Sequence, residues 1–208
     1  MLLVQALESS KDIAFSNLPE RTPTFYGREA ELLQIRETLD PSRPGRKSLL
    51  LIGIGGSGKT QLALQHIELE RGRYSAIVWI DAPTADHANR SFIETAAKMS
   101  TDWPRDLPLP HHGRNTDSLL YVASRLRSTR HRNWLLVIDS ADDISQDDLA
   151  RYFPSCDYGS VLVTSTKRRV CRGFRPASTI SVDGLDAPNS LAMLRDLSGR
   201  QAIDDEGE

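Results

Sequence analysis

Residues 53–60 read Gly-Ile-Gly-Gly-Ser-Gly-Lys-Thr, which satisfies G-x-x-x-x-G-K-[ST] at every position. The residue types name a chemistry. Glycines at 53, 55, 56 and 58 allow consecutive backbone N–H groups to converge on phosphate oxygens, and Lys59 brings a cation to the β and γ phosphates. Thr60 offers a hydroxyl to magnesium, and Ser57 and Gln61 complete the expected phosphate-contacting set. Such a cradle needs an acid from elsewhere in the chain. The stretch "WLLVIDSADD", 134–143, supplies one: Asp139 leaves an apolar run where it can hold magnesium through water. Asp142 and Asp143 follow within reach of the γ phosphate, where a carboxylate can position or deprotonate water. Residue type alone does not rank these two, and capping a helix or facing solvent would serve either equally well. The expected catalytic set is therefore Lys59, Asp139, Asp142 and Asp143, with Thr60 and Asp139 as the metal-holding pair.

A glycine loop cradles phosphate only when a strand delivers it and a helix receives it. Both are legible. "SLLLIG" is a continuous apolar run suited to a strand covered on both faces, and "KTQLALQHIELERG" places Leu62, Leu64, Ile67 and Leu69 at helical spacing until Gly72. Upstream, Leu32, Leu33, Ile35 and Leu39 fit one helix face, ended by "PSRPG" at 41–45. Downstream come a strand "AIVWID" at 76–81, a helix over about 87–99 with Phe92, Ile93, Ala96 and Ala97 inward, and a proline-bearing loop at 101–115. A helix in "DSLLYVASRLRS" leads to the strand "WLLVID", and a short helix "DDLARYF" precedes the strands "GSVLVTST" and "TISVDGL". This alternation predicts an α/β fold, a P-loop NTPase three-layer sandwich around a mostly parallel five-stranded sheet. Residues 1–24 read as an arm or linker, 25–184 as the nucleotide-binding domain, and 185–208, with Asp186 and Pro188 opening a new helix, as the start of a truncated helical domain.

Composition narrows the classes. In 208 residues, 26 Lys and Arg stand against 28 Asp and Glu, a net charge of −2, which disfavours a general nucleic-acid binder. Two cysteines, Cys156 and Cys171, are too few for a disulfide framework or a cysteine zinc site. No stretch has the length of a membrane span, and the opening residues lack the pattern of a signal peptide. A cytoplasmic location is the expectation. No NKxD guanine-reading motif occurs, so ATP or ADP with Mg²⁺ is the expected ligand. The basic clusters at Lys167, Arg168, Arg169, Arg172 and Arg175, and at Arg125, Arg127, Arg130 and Arg132, read as solvated faces.

Five landmarks in order, "FYGREAEL" at 25–32, "GIGGSGKTQLAL" at 53–64, "AIVWIDA" at 76–82, "WLLVIDSADD" at 134–143 and "GSVLVTSTKRRV" at 159–170, resemble the NB-ARC type nucleotide-binding domain of STAND P-loop NTPases. The wording is most similar to fungal NLR-like receptors. The resemblance implies a base-side role for Phe25, Tyr26, Gly27 and Arg28. It also implies an ATP/ADP switch with slow hydrolysis, partnered by its own helical and winged-helix domains, homo-oligomeric on activation, and used in signalling or programmed cell death. Two positions depart from the pattern. Thr166 stands where the family has a γ-phosphate-sensing arginine, and Ser140 where it has a second acid, while Asp142 and Asp143 match the acids found three and four places on in related fungal sequences. A guanidinium replaced by a short hydroxyl motivates an alternative reading, a nucleotide-stabilised scaffold without useful hydrolysis. A further alternative is an AAA-like ATPase acting on nucleic acid.

Overall fold

A computed structural model describes residues 13–102, 115–127, 132–170 and 176–198. The elements run α1 (Glu29–Thr38), β1 (Lys47–Ile52), α2 (Lys59–Glu70), β2 (Ala76–Asp81), α3 (Ala85–Asp102), α4 (Asn115–Leu126), β3 (Trp134–Asp139), α5 (Gln146–Arg151), β4 (Ser160–Ser165), β5 (Ser178–Ser181) and α6 (Ala187–Ser198). The strands form one sheet in the order β2-β3-β4-β1-β5, and every pairing is parallel. The expected α/β sandwich with a five-stranded parallel sheet is the fold.

Strand alternation sorts the core into two layers. Leu50 and Ile52 of β1, Val78 and Ile80 of β2, Leu136 and Ile138 of β3, and Val161 and Val163 of β4 join Phe92, Met99, Val122 and Leu149 from α3, α4 and α5. The intervening residues, Leu49, Leu51, Ile77, Trp79, Leu135, Val137 and Leu162, join Ile35 of α1, Leu39, and Leu62 and Ile67 of α2. A period of two, covered on both sides, explains why the strands read as unbroken apolar runs. Their C-terminal ends share one edge, since Ile52 pairs with Ser165 and Asp81 with Asp139.

Some faces differ from the sequence reading. In α3 the buried residues are Ala88, Phe92, Thr95, Ala96 and Met99, whereas Ile93 and Ala97 are exposed. The helix starts earlier than expected, at a Thr84 turn that receives the Ala88 and His87 amides, and its inward face follows the Ala88, Phe92, Thr95, Ala96 and Met99 spacing, which leaves Ile93 and Ala97 on the other side. Leu33 and Leu69 are exposed too, so the paired stripes of α1 and α2 are narrower than the leucines suggest. The arm expected over 1–24 is held from Ile13 onward: Ser16 bridges Ile77, Phe15 enters the core, and Asn17 exchanges hydrogen bonds with the Trp79 backbone and Thr95. Arg125 is buried, with its guanidinium 5.1 Å over the Tyr121 ring. It is therefore not part of a basic edge. Cys171, Arg130, Arg172 and Arg175 lie outside the described residues.

Candidate functional site

The loop at 53–58 leaves β1 at the carboxyl edge of the sheet and turns into α2, an arrangement that aims backbone amides and a helix N-terminus at one point. Its glycines are used unequally. A Cβ on Gly53 would lie 2.2 Å from the Val182 carbonyl oxygen, so the neighbouring backbone excludes any side chain there. Gly56 and Gly58 have φ of 78° and 90°, a left-handed geometry that favours glycine; Gly55 has open space around it. Lys59 is buried and its Nζ donates to the Gly53 and Ile54 carbonyls at 2.9 and 2.8 Å. Burial holds the Lys59 pKa below its ordinary value, while Asp142 first and then Asp139 oppose that effect. The lysine thus sits over the loop with two carboxylates within electrostatic reach.

Thr60 and Asp139 meet. The Thr60 hydroxyl donates to both Asp139 carboxylate oxygens at 3.0 and 3.1 Å, although the two residues are far apart in sequence. Asp139 is only 6% exposed, and burial raises its pKa; the hydrogen bonds from Thr164 and Thr60 counter that rise. Thr164, at the end of β4, donates to Asp139 Oδ1 at 2.6 Å and accepts from the Ser140 amide at 2.8 Å. β4 lies between the strand carrying the loop and the strand carrying the acid, so its Thr164 hydroxyl reaches the acid while its Ser165 carbonyl accepts from the Gly53 amide at 3.3 Å. Sequence reasoning placed Thr164 in a motif without giving it a partner. The available signal was two adjacent hydroxyl residues closing an otherwise apolar strand.

Asp142 and Asp143 part company in three dimensions. Asp142 Oδ1 accepts from Ser165 Oγ at 2.7 Å and from the Thr166 amide at 2.6 Å, which fixes the carboxylate at the tip of β4 facing Lys59. Asp143 is exposed and ion-paired to Lys167 and, at 3.1 Å, to Arg169. The Lys167 ammonium holds the Asp143 pKa below the usual carboxylate range. Thr166 contributes its amide to Asp142 while its side chain faces solvent. Ser140, where the second acid is missing, takes φ 61°, and its amide serves Thr164.

A cavity of about 630 Å³ adjoins the loop. Phe25, Tyr26 and Arg28 line it together with Ser57, Gln61 and Leu197 of α6. Small-molecule and cofactor sites measure about 300–1,000 Å³, so the space suits a base and ribose. Gly27 lines no part of it and instead packs against Asn189. Gln61 does not face the loop alone: its Oε1 accepts from the Thr22 amide and hydroxyl. On the other side of the α2 N-terminus, a second cavity of about 330 Å³ is bordered by Thr60 and Asp139, with Glu20 and Asp81 beside them. The donor set fits a nucleotide with Mg²⁺. The loop carries a buried Ser57 hydroxyl without a protein partner among the described residues, a cation stands over it, and an oxygen-only hydroxyl and carboxylate pair suits a hard divalent ion. Among the described residues no cluster of three or more His, Cys, Asp or Glu could hold a metal by itself, and no helix is long and apolar enough to cross a membrane.

A parallel α/β sandwich with a phosphate loop on one strand and a hydrogen-bonded acid two strands away defines a P-loop NTPase domain. Comparison with known proteins narrows the class: residues 24–155, well over half of the chain, match the AAA ATPase domain family, and the chain belongs to it. A nucleotide-binding leucine-rich repeat (NLR)-like protein of Hyaloscypha variabilis is 27% identical over an alignment covering 91% of this chain and 20% of the relative. The chain thus spans about a fifth of that relative's length. Among solved structures, Cdc6p from Pyrobaculum aerophilum matches with a TM-score of 0.60 at 18% identity, over 86% of this chain and 52% of that one. That likeness is one of fold.

Proposed function

We propose that this chain is the ATP/ADP-binding switch domain of a STAND-type, NLR-like receptor, with slow Mg²⁺-dependent ATP hydrolysis. One observation carries the reading: the Thr60–Asp139 pair and Lys59 gather at the mouth of the loop while a base-sized cavity opens on its other side. Mg²⁺ held by Thr60 and Asp139 would offset phosphate charge. Lys59 would leave the Gly53 and Ile54 carbonyls for the β and γ phosphates, and Thr164 would keep the Asp139 carboxylate ionised and oriented. Asp142, fixed through a single oxygen, would hold the attacking water by the other. Hydrolysis is slow in this reading because no arginine directly follows Ser165 and two of the cations further on, Lys167 and Arg169, are engaged by Asp143. The likeness to the NLR-like protein supports placement in a longer signalling chain, with helical and winged-helix neighbours, a homo-oligomeric active state and a cytoplasmic location as parts of the same proposal.

The engagement of Lys167 and Arg169 also favours a second reading, a nucleotide-stabilised scaffold that does not turn over. The two separate on calorimetric titration with Mg²⁺-ADP and a nonhydrolysable ATP analogue, paired with phosphate release. Binding that is lost in Lys59→Ala together with measurable release supports the switch. Lys59-dependent binding with no release supports the scaffold, and no binding by a folded sample refutes both.

A further inference from the structure

The Tyr26-Gly27-Arg28 turn makes a set of contacts that base recognition does not require. Gly27 and Arg28 both have positive φ, 61° and 70°. Left-handed backbone is unfavourable for a residue with a side chain, so something must hold Arg28 there. Its guanidinium shows what does. Nη1 donates to Glu31 Oε1 at 2.8 Å, which anchors the group to the first turn of α1. Nη2 donates to the Ser57 carbonyl of the phosphate loop at 3.2 Å and also to the Asp183 carbonyl, just past β5 on the path to α6. One side chain thus bridges the phosphate loop and the lead into α6. The same turn grips α6 at two further points: a Cβ on Gly27 would meet Asn189 Nδ2 at 2.6 Å, and the Tyr26 hydroxyl donates to Asp196 Oδ2 at 2.5 Å.

We infer that Arg28 is a positioning residue that staples the phosphate loop to α6, so that loop order reaches α6 through its guanidinium and the arginine does not select the base. The physical reason is prior engagement of both terminal nitrogens. A guanidinium carries five donors in a fixed fork, and here the two terminal nitrogens already serve a carboxylate and two backbone carbonyls. Lysine presents a point charge without that fork and cannot serve both carbonyls and Glu31 in the same way. Phosphate bound at the loop would hold the Ser57 peptide in place. Arg28 would then hold Asp183, and α6 would lose mobility without touching the phosphate. The inference rests on the nucleotide-binding reading for its ligand-dependent part only.

The test uses the 208-residue chain, with Arg28→Gln and Arg28→Lys, and reads ADP and GDP affinity by calorimetry and amide exchange at 55–60 and 187–197. Without nucleotide, Arg28→Gln should raise exchange in both segments together, because the shared donor is gone. With Mg²⁺-ADP, the wild type should gain protection in both segments; Arg28→Gln should keep the gain at 55–60 and lose it at 187–197. ADP and GDP affinities should fall by the same factor, roughly tenfold for the loss of charge-assisted bonds to the loop, leaving their ratio unchanged. Arg28→Lys should recover less than half of the α6 protection. A changed ADP-to-GDP ratio would assign Arg28 to base selection and overturn the inference, as would full α6 protection in Arg28→Gln or full rescue by lysine. If the wild type binds neither nucleotide, the functional reading fails, while the nucleotide-free exchange still decides the staple: unchanged exchange at 187–197 in Arg28→Gln refutes it.

Discussion

Replacing Thr164 by valine keeps the volume of a side chain that is about 1% exposed and removes only its hydroxyl. Two hydrogen bonds go: the one donated to Asp139 Oδ1 at 2.6 Å and the one accepted from the Ser140 amide at 2.8 Å. The first favours the ionised carboxylate, and hydrogen bonds to charged groups contribute about 1.5–3 kcal/mol. Burial already pushes the Asp139 pKa up, so the valine variant pushes it further, and the proton competes with Mg²⁺ at higher pH. Because 1.36 kcal/mol corresponds to one pH unit, the midpoint for loss of Mg²⁺-dependent ADP binding should move up by about one pH unit or more. The second bond leaves a half-buried amide unpaired, a loss of up to about 1–3 kcal/mol, or a fall of up to about 2–12 °C in Tm for a domain of this size. Titrating Mg²⁺-ADP between pH 5 and 8 against wild type, Thr164→Val and Thr164→Ser separates the effects, since serine restores the hydroxyl. Superimposable pH profiles for the folded valine variant and the wild type would refute the reasoning.

Asp142→Asn should lower phosphate release at least tenfold, within the roughly 10²–10⁴-fold reach of general acid–base catalysis. Asp143→Asn, whose carboxylate is neutralised by Lys167 and Arg169, should change release by less than about threefold on that account; equal losses would remove the distinction drawn between them. Gly159→Ala should destabilise the fold by about 2–5 kcal/mol by chemical denaturation, because Gly159 has φ 81° and its Cβ would lie 2.2 Å from the buried Trp134 ring; a shift below 1 kcal/mol would contradict this close approach. Burial, with Arg73 and Arg36 adding to it, pushes the His66 pKa down to about 4, beside the Tyr74 hydroxyl at 2.9 Å. The unfolded chain takes up this proton and the folded one does not, so the stability is fully present above about pH 6.5. It is lost as pH falls toward about 4, by up to about 3 kcal/mol. Stability compared between wild type and His66→Gln at pH 7 and pH 4.5 isolates that contribution, and parallel pH dependences would exclude it.

The sequence by itself determined the phosphate loop, the strand that delivers it, the helix that receives it and the parallel α/β class, because each is written in local residue order: glycines at fixed offsets, then a period of 3.6 beside unbroken apolar runs. Strand order is not local. Only the tertiary structure inserted β4 between β1 and β3, and that placement brings Thr164 to Asp139 and Ser165 to Asp142. The same insertion gave Asp142 and Asp143, adjacent residues of identical type, different partners, Ser165 for the one and Lys167 for the other. Arg28 shows the limit most plainly. Its place beside the glycine turn was legible, but its carbonyl partners, Ser57 and Asp183, are far away along the chain. A guanidinium finds such acceptors only when two loops converge in space, and no spacing rule along the sequence encodes that meeting.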